Sequence, residues 1–536
     1  MKKKMFPVHV KMRCLSMLFA ACWCVLGGCG SPAEGDSSSA GVSATREEAQ
    51  TNDRPAEHVV INYMVTGDVP TNKSMTDVLP EINKVLDEKL NAELNVIWIE
   101  WTDYLSHYNL ELASQDGNID LVGTATDWLD AWPNIQKGAF LPLSEEMLQT
   151  YAPQTYAQVP SADWDLCKYD GEIYLIPEDH YAQWTNHGFM YRNDWAKAAG
   201  LANGVHSWED LGIYFQYIKD NLPAVIPWDA KPDASIVAQL SAGWLTSHTP
   251  GIYVEGLRVD LFFGKSKDDP YMLSTYFLEG DELVNFAKNQ KAWADAGYWK
   301  EDVLNNTSID TREEMHEGIS GADQHHSMTY YGGEAKRMDD YQPGSDLRFF
   351  WFGEEQGNLV RLNITHGAMA VAAKSRNPER ALQVYDLMRN DEQIYRLLNY
   401  GIEGQQYVLE DGGVYTRPEG FVEDTDGSGF NYWWGRNDDH ELVGPMTDTA
   451  KRDALIAEYD KVAINYPYGR VVFNLDPISA NLDNLSNIYN TYMPRIVFGK
   501  MDDPESYVAE FREQLKMAGY ETCMAEVESQ LAEVYE

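Results

Sequence analysis

Apolar runs and cysteines are scarce in this chain of 536 residues. Beyond residue 28 no apolar stretch reaches the ~18 residues that mark a membrane-spanning helix, so the sequence predicts no such helix in the main body. Four of the six cysteines lie at or before position 29. The other two, Cys167 and Cys523, are far apart, which excludes a disulfide framework but leaves one bridge between them open.

Basic residues are also in short supply, with 42 Lys and Arg against 84 Asp and Glu and a formal charge of −42. A surface this acidic repels phosphate groups, which excludes nucleic acid as the ligand. The catalytic and nucleotide-binding patterns G-x-S-x-G, H-E-x-x-H, P-loop and G-x-G-x-x-G are absent. Repeats and β-rich modules are absent too, which disfavours a structural adhesin.

The first 28 residues predict a signal peptide. Basic residues up to Arg13 precede an uncharged stretch from Cys14 to Leu26, which is shorter than the ~20 residues of a spanning helix. The segment Leu26–Cys29 resembles the bacterial lipobox. This resemblance implies that the mature chain begins at Cys29 and carries a diacylglycerol that anchors it to the outer face of the cell membrane. Residues 29–56 are small and polar and predict a flexible tether.

From residue 57 the pattern alternates between strands and helices. Strands are predicted over 59–65, 94–101 and 120–123, with helices over 75–90 and 104–113 between them. This order predicts an α/β fold with a parallel sheet covered by helices. Further along, the sequence predicts a second α/β region over 195–350, a strand over 368–373, a helix from Pro378 to Met388 and two helices over 504–535.

Several short motifs follow one another in the same part of the chain. They are Asp120–Leu143, Gly171–Pro177, Tyr191–Trp195 and Asn377–Leu382 running into Leu398–Gly404. Because of the order and spacing of these motifs, the chain resembles the extracellular solute-binding proteins of ABC importers, in particular the maltose-binding-like group. Within that group it is similar to the long LplA/YtcQ-type lipoproteins, which carry an extra C-terminal module.

The resemblance implies a type II periplasmic-binding-protein-like fold, in which two α/β lobes joined by a hinge hold the ligand in a central cleft. Lobe 1 would contain residues 57–183 and 355–394, and lobe 2 residues 184–354 and 395–536. The implied function is to capture an extracellular solute and deliver it to ABC permease subunits, which would recognise the closed form. The protein would be a monomer, would not be an enzyme and would need no cofactor.

Aromatic residues point to the kind of solute. The chain has 16 Trp and 32 Tyr, and a sugar site combines flat aromatic platforms with carboxylates and amides because sugars present apolar C–H faces ringed by hydroxyls. This favours an oligosaccharide, with peptides and metabolites left open. The candidate ligand-binding residues are Asp127, Trp128, Trp184, Tyr330, Tyr331, Glu403, Trp433 and Trp434, where Glu403 has a second interpretation as a hinge brace. Other tryptophans are assigned to packing, namely Trp98, Trp101, Trp195, Trp208, Trp293 and Trp299.

Two patterns resemble metal sites. His325 and His326 are adjacent, which suits a solvated surface better than one zinc ion. Asp424, Asp426 and Ser428 match the first half of a calcium loop, but Gly435 stands where the bidentate Glu belongs, so an Asp/Gly-rich turn is favoured over a Ca²⁺ site.

The alternative function is that of a surface-anchored glycoside hydrolase. Such an enzyme needs two carboxylates ~5–9 Å apart across a cleft. With 84 acidic residues, the sequence alone does not single out such a pair.

Overall fold

The computed structural model describes residues 54–114, 116–178, 186–307 and 311–535. The predicted lipidation site Cys29, the signal peptide and the candidate residue Trp184 lie outside the described residues. No helix in the described ranges is long and apolar enough to cross a membrane.

The described residues form strands with the following bounds: β1 (Val59–Thr66), β2 (Ala92–Ile99), β3 (Leu121–Thr124), β4 (Lys168–Tyr169), β5 (Glu172–Ile173), β6 (Ile176–Pro177), β7 (His187–Arg192), β8 (Ile252–Tyr253), β9 (Phe263–Gly264), β10 (Ala322–His326), β11 (Leu347–Trp351), β12 (Ala368–Val371), β13 (Val408–Leu409) and β14 (Tyr415–Thr416).

The α-helices have these bounds: α1 (Leu79–Leu90), α2 (Tyr104–Ser114), α3 (Ala131–Gln136), α4 (Glu145–Tyr151), α5 (Pro153–Gln158), α6 (Ser161–Asp165), α7 (Asn193–Ala198), α8 (Trp208–Asn221), α9 (Ala234–His248), α10 (Glu282–Ala296), α11 (Arg312–His316), α12 (Ser327–Thr329), α13 (Ala335–Tyr341), α14 (Pro378–Asn390), α15 (Glu392–Tyr400), α16 (Glu423–Asp426), α17 (Thr449–Tyr459), α18 (Ser479–Val497), α19 (Pro504–Met517) and α20 (Tyr520–Tyr535).

The first lobe is built on a five-stranded sheet in the order β2-β1-β3-β12-β6. Strands β1, β2 and β3 are parallel, as the strand–helix–strand pattern predicts, whereas β12 runs antiparallel to β3. Helices α1 and α2 connect the parallel strands, and the four residues of β3 are all buried. The apolar character of β1 and β3 follows from this position, since a strand covered on both faces has no solvent side.

The second lobe has a smaller sheet of three antiparallel strands in the order β10-β7-β11. Most of its core comes from helices: α9 and α10 pack against α18, α10 also packs against α19, and α20 packs on α18 and α19. The two helices predicted over 504–535 are confirmed as α19 and α20. The start of α19 is favoured by two residues: Pro504 occupies its first turn, and Asp503 caps it by accepting a hydrogen bond from the backbone NH of Ser506.

One segment differs from the lobe boundaries expected from the sequence. The expectation places all of 395–536 in lobe 2, but the buried residues from Tyr395 to Leu442 belong to the core of the first lobe. Helix α15 packs on α14 and α1, and its buried face, which includes Ile394 and Leu398, explains this placement. Only the part from α17 onwards packs with the second lobe.

The chain therefore passes between the lobes in three places. It does so between β6 and β7, between β11 and β12, and between Leu442 and α17. The second of these passages lies beside the segment that follows α17, because Val360 pairs with Ile464 in a parallel bridge. The lobes also touch where Nε2 of Gln136 donates a hydrogen bond to the carbonyl of Phe473, at 3.2 Å.

Cys167 and Cys523 are both free thiols. Cys167 is buried in the core of the first lobe and Cys523 in that of the second. The single bridge that the sequence leaves open is therefore not formed. Burial raises the pKa of both thiols, so they stay protonated and behave as small apolar side chains.

Candidate functional site

The carboxyl ends of the three parallel strands meet at one edge of the first lobe's sheet. Strand β1 ends at Thr66, β2 at Ile99 and β3 at Thr124. In open α/β sheets this edge is where ligands bind, because the loops that follow the strands converge there. The loops are tied together: Oδ1 of Asp68 accepts a hydrogen bond from the backbone NH of Trp101, at 3.1 Å.

Three tryptophans form an aromatic surface at this edge. The rings of Trp101 and Trp128 stack with centroids 6.2 Å apart, and those of Trp101 and Trp433 with centroids 5.9 Å apart. Trp128 and Trp433 are also neighbours, at 6.4 Å. Trp101 is 39% exposed, and the other two are half-buried. We call Trp101, Trp128 and Trp433 the tryptophan cluster.

Trp434 supports this surface from behind and is itself fully buried. Its indole lies over Gly123 of β3 so closely that a Cβ at Gly123 would meet the ring at 2.6 Å. Asn431 holds the same segment in place. It adopts a left-handed backbone conformation, and its Nδ2 donates to the carbonyl of Thr66 at 3.2 Å. The structure therefore does not support the predicted ligand contact at Trp434, because the close approach to the sheet removes its ring from the surface.

Asp127 and His366 form a pair beside the tryptophan cluster. Oδ2 of Asp127 and Nδ1 of His366 lie 2.6 Å apart, and Nε1 of Trp128 donates to the carbonyl of His366 at 3.2 Å. Burial acts to lower the pKa of His366, but the Asp127 carboxylate, followed by those of Glu178 and Glu255, outweighs burial and raises the pKa to about 9. His366 is therefore an imidazolium at neutral pH.

The second lobe contributes Glu255 and Tyr466 to the same place. The hydroxyl oxygen of Tyr466 accepts a hydrogen bond from the backbone NH of Glu255, at 2.8 Å. Burial, together with the negative charge of Asp127, raises the pKa of Glu255 to about 8. Asp127 belongs to the first lobe and Glu255 to the second, so this interaction between their charges acts between the lobes.

Three histidines lie close together near the start of β7. The ring of His187 is 6.1 Å from that of His325 and 5.9 Å from that of His326, between centroids. His325 and His326 are half-buried on β10, which pairs with β7, so the expectation of a solvated surface is wrong. Burial and the neighbouring imidazoles lower the pKa of His187 to about 3, so it is neutral. No group of metal-ligating side chains with suitable geometry occurs in the described ranges.

Three other candidate residues lie away from this site. Tyr330 and Tyr331 are buried in a core formed by β11, α13 and α17, and the ring of Tyr330 stacks on Phe349 at 5.4 Å. The predicted ligand contact at these two tyrosines is therefore not supported, because packing covers their rings. Glu403 is exposed in a turn of the first lobe, where its backbone forms an isolated β-bridge with that of Tyr407.

The calcium-loop pattern also folds differently from a calcium site. Asp424 and Asp426 belong to the one-turn helix α16, and Asp426 forms an ion pair with Lys73 at 2.7 Å. The carboxylate at position 3 of the loop pattern is thus already paired with a lysine, and Ser428 lies beyond the end of the helix. The favoured interpretation as an Asp/Gly-rich turn agrees with this geometry.

Four residues of the site do not stand out in the sequence: Trp101, Glu255, His366 and Tyr466. Trp101 is assigned to strand packing in the sequence, but β2 ends two residues earlier, at Ile99. The polar residues on either side, Glu100 and Thr102, could have indicated this end. The other three come from the hinge and the second lobe, and only the tertiary fold brings them to the cleft.

Comparisons with known proteins agree with this architecture. Residues 72–394 match the bacterial extracellular solute-binding protein family. The chain belongs to this family. Residues 467–536, which contain α18, α19 and α20, match a domain of unknown function, DUF3502.

Among the relatives of this solute-binding protein is a carbohydrate ABC transporter substrate-binding protein of Streptococcus pneumoniae. It is 21% identical over 513 residues, covering 91% of this chain and 93% of the relative. The N-glycan transport solute binding protein (NgtS) of the same organism, solved in complex with Man1GlcNAc, has a TM-score of 0.67 at 19% identity, covering 89% of this chain and 99% of that one. The alginate-binding protein AlgQ2 has a TM-score of 0.61 at 17% identity, with 90% and 98% covered. The two-lobed type II fold implied by the sequence motifs is confirmed.

Proposed function

We propose that this solute-binding protein is a lipoprotein, anchored through Cys29, that captures an oligosaccharide outside the cell and delivers it to an ABC permease. The observation that carries the proposal is the tryptophan cluster beside the Asp127–His366 pair at the carboxyl ends of β1, β2 and β3. Exposed indole faces suit the C–H faces of sugar rings, and the adjacent carboxylates accept hydrogen bonds from sugar hydroxyls. The names of the relatives support a carbohydrate ligand.

The two lobes supply the transport step. A ligand that contacts Trp128 and Asp127 on one lobe and Glu255 on the other stabilises the closed arrangement by its differential affinity for that state. The permease then distinguishes loaded from empty protein by the relative position of the lobes. We propose that a monomer suffices, because each chain carries both faces of the cleft.

A ligand screen tests this function. The purified protein is heated in the presence of oligosaccharides, monosaccharides or short peptides, and its melting temperature is recorded. A ligand at 100 times its Kd stabilises the folded state by ~2.7 kcal/mol, which gives a clear shift. We expect a shift with an oligosaccharide and none with the peptides.

The same samples test the hydrolase alternative, which nothing in the comparisons supports. After incubation the sugar is recovered and its mass is measured. A solute-binding protein returns the sugar at its original mass. Recovery of shorter fragments at a rate proportional to protein concentration would replace the transport function with hydrolysis, with Asp127 and Glu255 as the carboxyl groups to examine.

A further inference from the structure

A cavity of about 570 Å³ lies among the helices of the second lobe. Its walls come from α8, α9 and α10, together with Tyr298 and Glu355. The volume falls within the ~300–1,000 Å³ that is usual for small-molecule sites. Among the described residues that line it, none belongs to the tryptophan cluster or to the Asp127–His366 pair. The cavity is therefore distinct from the site at the edge of the first lobe's sheet.

Three tryptophans, one from each helix, form a wall of this cavity: Trp208 from α8, Trp244 from α9 and Trp293 from α10. The rings of Trp208 and Trp293 stack with centroids 5.8 Å apart, and the rings of Trp208 and Trp244 meet edge to face at 5.4 Å. All three belong to the core of the second lobe, so packing fixes their positions. The cavity thus has rigid indole surfaces, which suit the apolar C–H faces of a sugar ring.

A glycine on α8 leaves space at the same wall. Gly212 lies within the helix, where glycine is disfavoured because its backbone loses the most conformational freedom on folding. A Cβ at this position would lie 3.2 Å from Nε1 of Trp293, which is tighter than most contacts of a real Cβ. The missing side chain therefore keeps room beside the Trp293 indole, although glycine weakens the helix.

Two hydrogen-bond donors on the cavity wall lack a partner among the described residues. They are Nε1 of Trp244, a residue only 6% exposed, and Nδ2 of Asn289 on α10. Because folded proteins pair nearly all of their buried donors, two unpartnered donors at one cavity indicate a ligand that supplies acceptors.

Two acidic residues at the cavity impose a second requirement on the ligand. Glu209 and Glu355 line the cavity and are both exposed. Oε1 of Glu355 accepts a hydrogen bond from the backbone NH of Trp208 at 3.1 Å, and a carboxylate has capacity for further donors. An anion is disfavoured beside two carboxylates, and an ammonium group has no acceptor for the indole and amide donors. A neutral ligand with hydroxyl groups meets both requirements, since each hydroxyl donates and accepts.

We propose that this cavity is a second carbohydrate site, which binds one uncharged pyranose residue against Trp208, Trp244 and Trp293. The sugar hydroxyls accept hydrogen bonds from Trp244 and Asn289 and donate to Glu355. Because the described walls of the cavity belong to the second lobe alone, binding here does not require the lobes to close. The inference goes beyond the proposed capture of a solute in the cleft and does not depend on it.

Fluorine NMR tests this site in protein whose tryptophans are replaced by 5-fluorotryptophan. The resonances of Trp244 and Trp293 are assigned by their loss in Trp244→Phe and Trp293→Phe. The probes are methyl β-glucoside, methyl β-galactoside and methyl α-mannoside, with indole as an apolar comparator and glucuronate as an anionic one. We expect both resonances to shift saturably with at least one methyl glycoside.

A matched pair of variants on α10 separates binding from stability. Asn289→Leu removes one unpartnered donor at similar size, and Asn285→Leu, one helical turn earlier at an exposed position, is the control. Removing a donor that has no partner leaves the fold as stable as before or more stable, so the melting temperature of Asn289→Leu should equal or exceed that of the wild type. The Kd for the methyl glycoside should rise at least about tenfold in Asn289→Leu and stay unchanged in Asn285→Leu.

Three results would overturn the inference. The absence of a saturable shift with any of the sugars would show that the cavity holds only water. An equal Kd in wild type and Asn289→Leu would place the sugar elsewhere, and a tighter response to indole or glucuronate would assign the cavity to another class of ligand. The proposed function fails by a different result, because loss of oligosaccharide binding at the tryptophan cluster leaves these two resonances unaffected.

Discussion

His366 shows how a single residue's environment sets its charge. The Asp127 carboxylate at 2.6 Å raises the pKa of this imidazole to about 9, although burial opposes the charge. His366 and Asp127 come from distant parts of the chain, so the pair depends on the fold. Because Trp128 donates to the carbonyl of His366, the same pair also fixes the position of an aromatic residue of the site.

This pair predicts a pH dependence of stability. The folded state holds the proton of His366 more tightly than the unfolded chain, whose histidine has an ordinary pKa of 6.5. The protonated His366 therefore contributes its full stabilisation of the folded state below pH ~6.5, and this contribution is lost as the pH rises towards ~9. The raised pKa of Glu255 acts in the same direction. We expect the melting temperature to fall between pH 6.5 and 9, and to fall less in Asp127→Asn.

The measurement is a series of thermal denaturations at constant ionic strength. Asp165→Asn serves as the control, since Asp165 pairs with Lys168 on the surface of the first lobe. A melting temperature that changes in the same way with pH in wild type and Asp127→Asn would contradict the assignment of the charge to this pair.

At the level of elements, the sequence predicts most of the first lobe. Strands β1 and β3 and helices α1 and α14 follow from apolar runs and helical spacing, which are local signals. The location of 395–442 could not be predicted in this way. The amphipathic pattern of α15 shows that it has a buried face but not which lobe covers that face. The end of β2 at Ile99, before Trp101, could not be predicted from local signals either, because a strand ends where its pairing with the neighbouring strand ends.

The contact between β3 and the segment that carries Trp433 and Trp434 predicts the effect of a small substitution. Gly123→Ala would place a methyl group 2.6 Å from the Trp434 ring. Because the ring is fully buried and cannot move aside without displacing its neighbours, we expect a loss of ~1–3 kcal/mol in the free energy of unfolding. Chemical denaturation measures this loss.

Gly332→Ala is the matched control for this substitution. Its added methyl group meets no atom within 4 Å, and its backbone is helical. An alanine in a helix is favoured over glycine by ~0.5–1 kcal/mol, so this variant should be as stable as the wild type or slightly more stable. Equal stabilities for Gly123→Ala and Gly332→Ala would show that Trp434 does not lock the segment onto β3.

At the scale of the whole molecule, the sequence predicts the family and the two-lobed fold because the order of its motifs spans most of the chain. The cleft is predicted only in part. The sequence predicts Asp127 and Trp128 because they follow a predicted strand, and Trp433 because its segment is aromatic and flanked by Gly and Asp residues. Glu255 and Tyr466 are missed, since a site between lobes combines residues that no local pattern connects.

The proposed anchor gives a whole-molecule prediction. Two acyl chains on Cys29 contribute ~0.8 kcal/mol for each buried methylene, which is enough for stable attachment to a membrane. Full-length protein expressed in a Gram-positive host should enter the detergent phase on phase partitioning, and Cys29→Ala should enter the aqueous phase. Cys167→Ala, which leaves Cys29 in place, is the control. Equal partitioning of wild type and Cys29→Ala would rule out lipidation at this residue.

The central claim is that an oligosaccharide binds against the tryptophan cluster, and the most direct test is to titrate Trp101→Ala with the best ligand from the screen. Trp101 is 39% exposed, so its loss should leave the melting temperature of the free protein nearly unchanged. We predict a Kd at least about tenfold higher than in the wild type, partial recovery in Trp101→Phe, and no change in the control Tyr341→Ala on the second lobe. An unchanged Kd in Trp101→Ala would contradict the placement of the ligand at this surface.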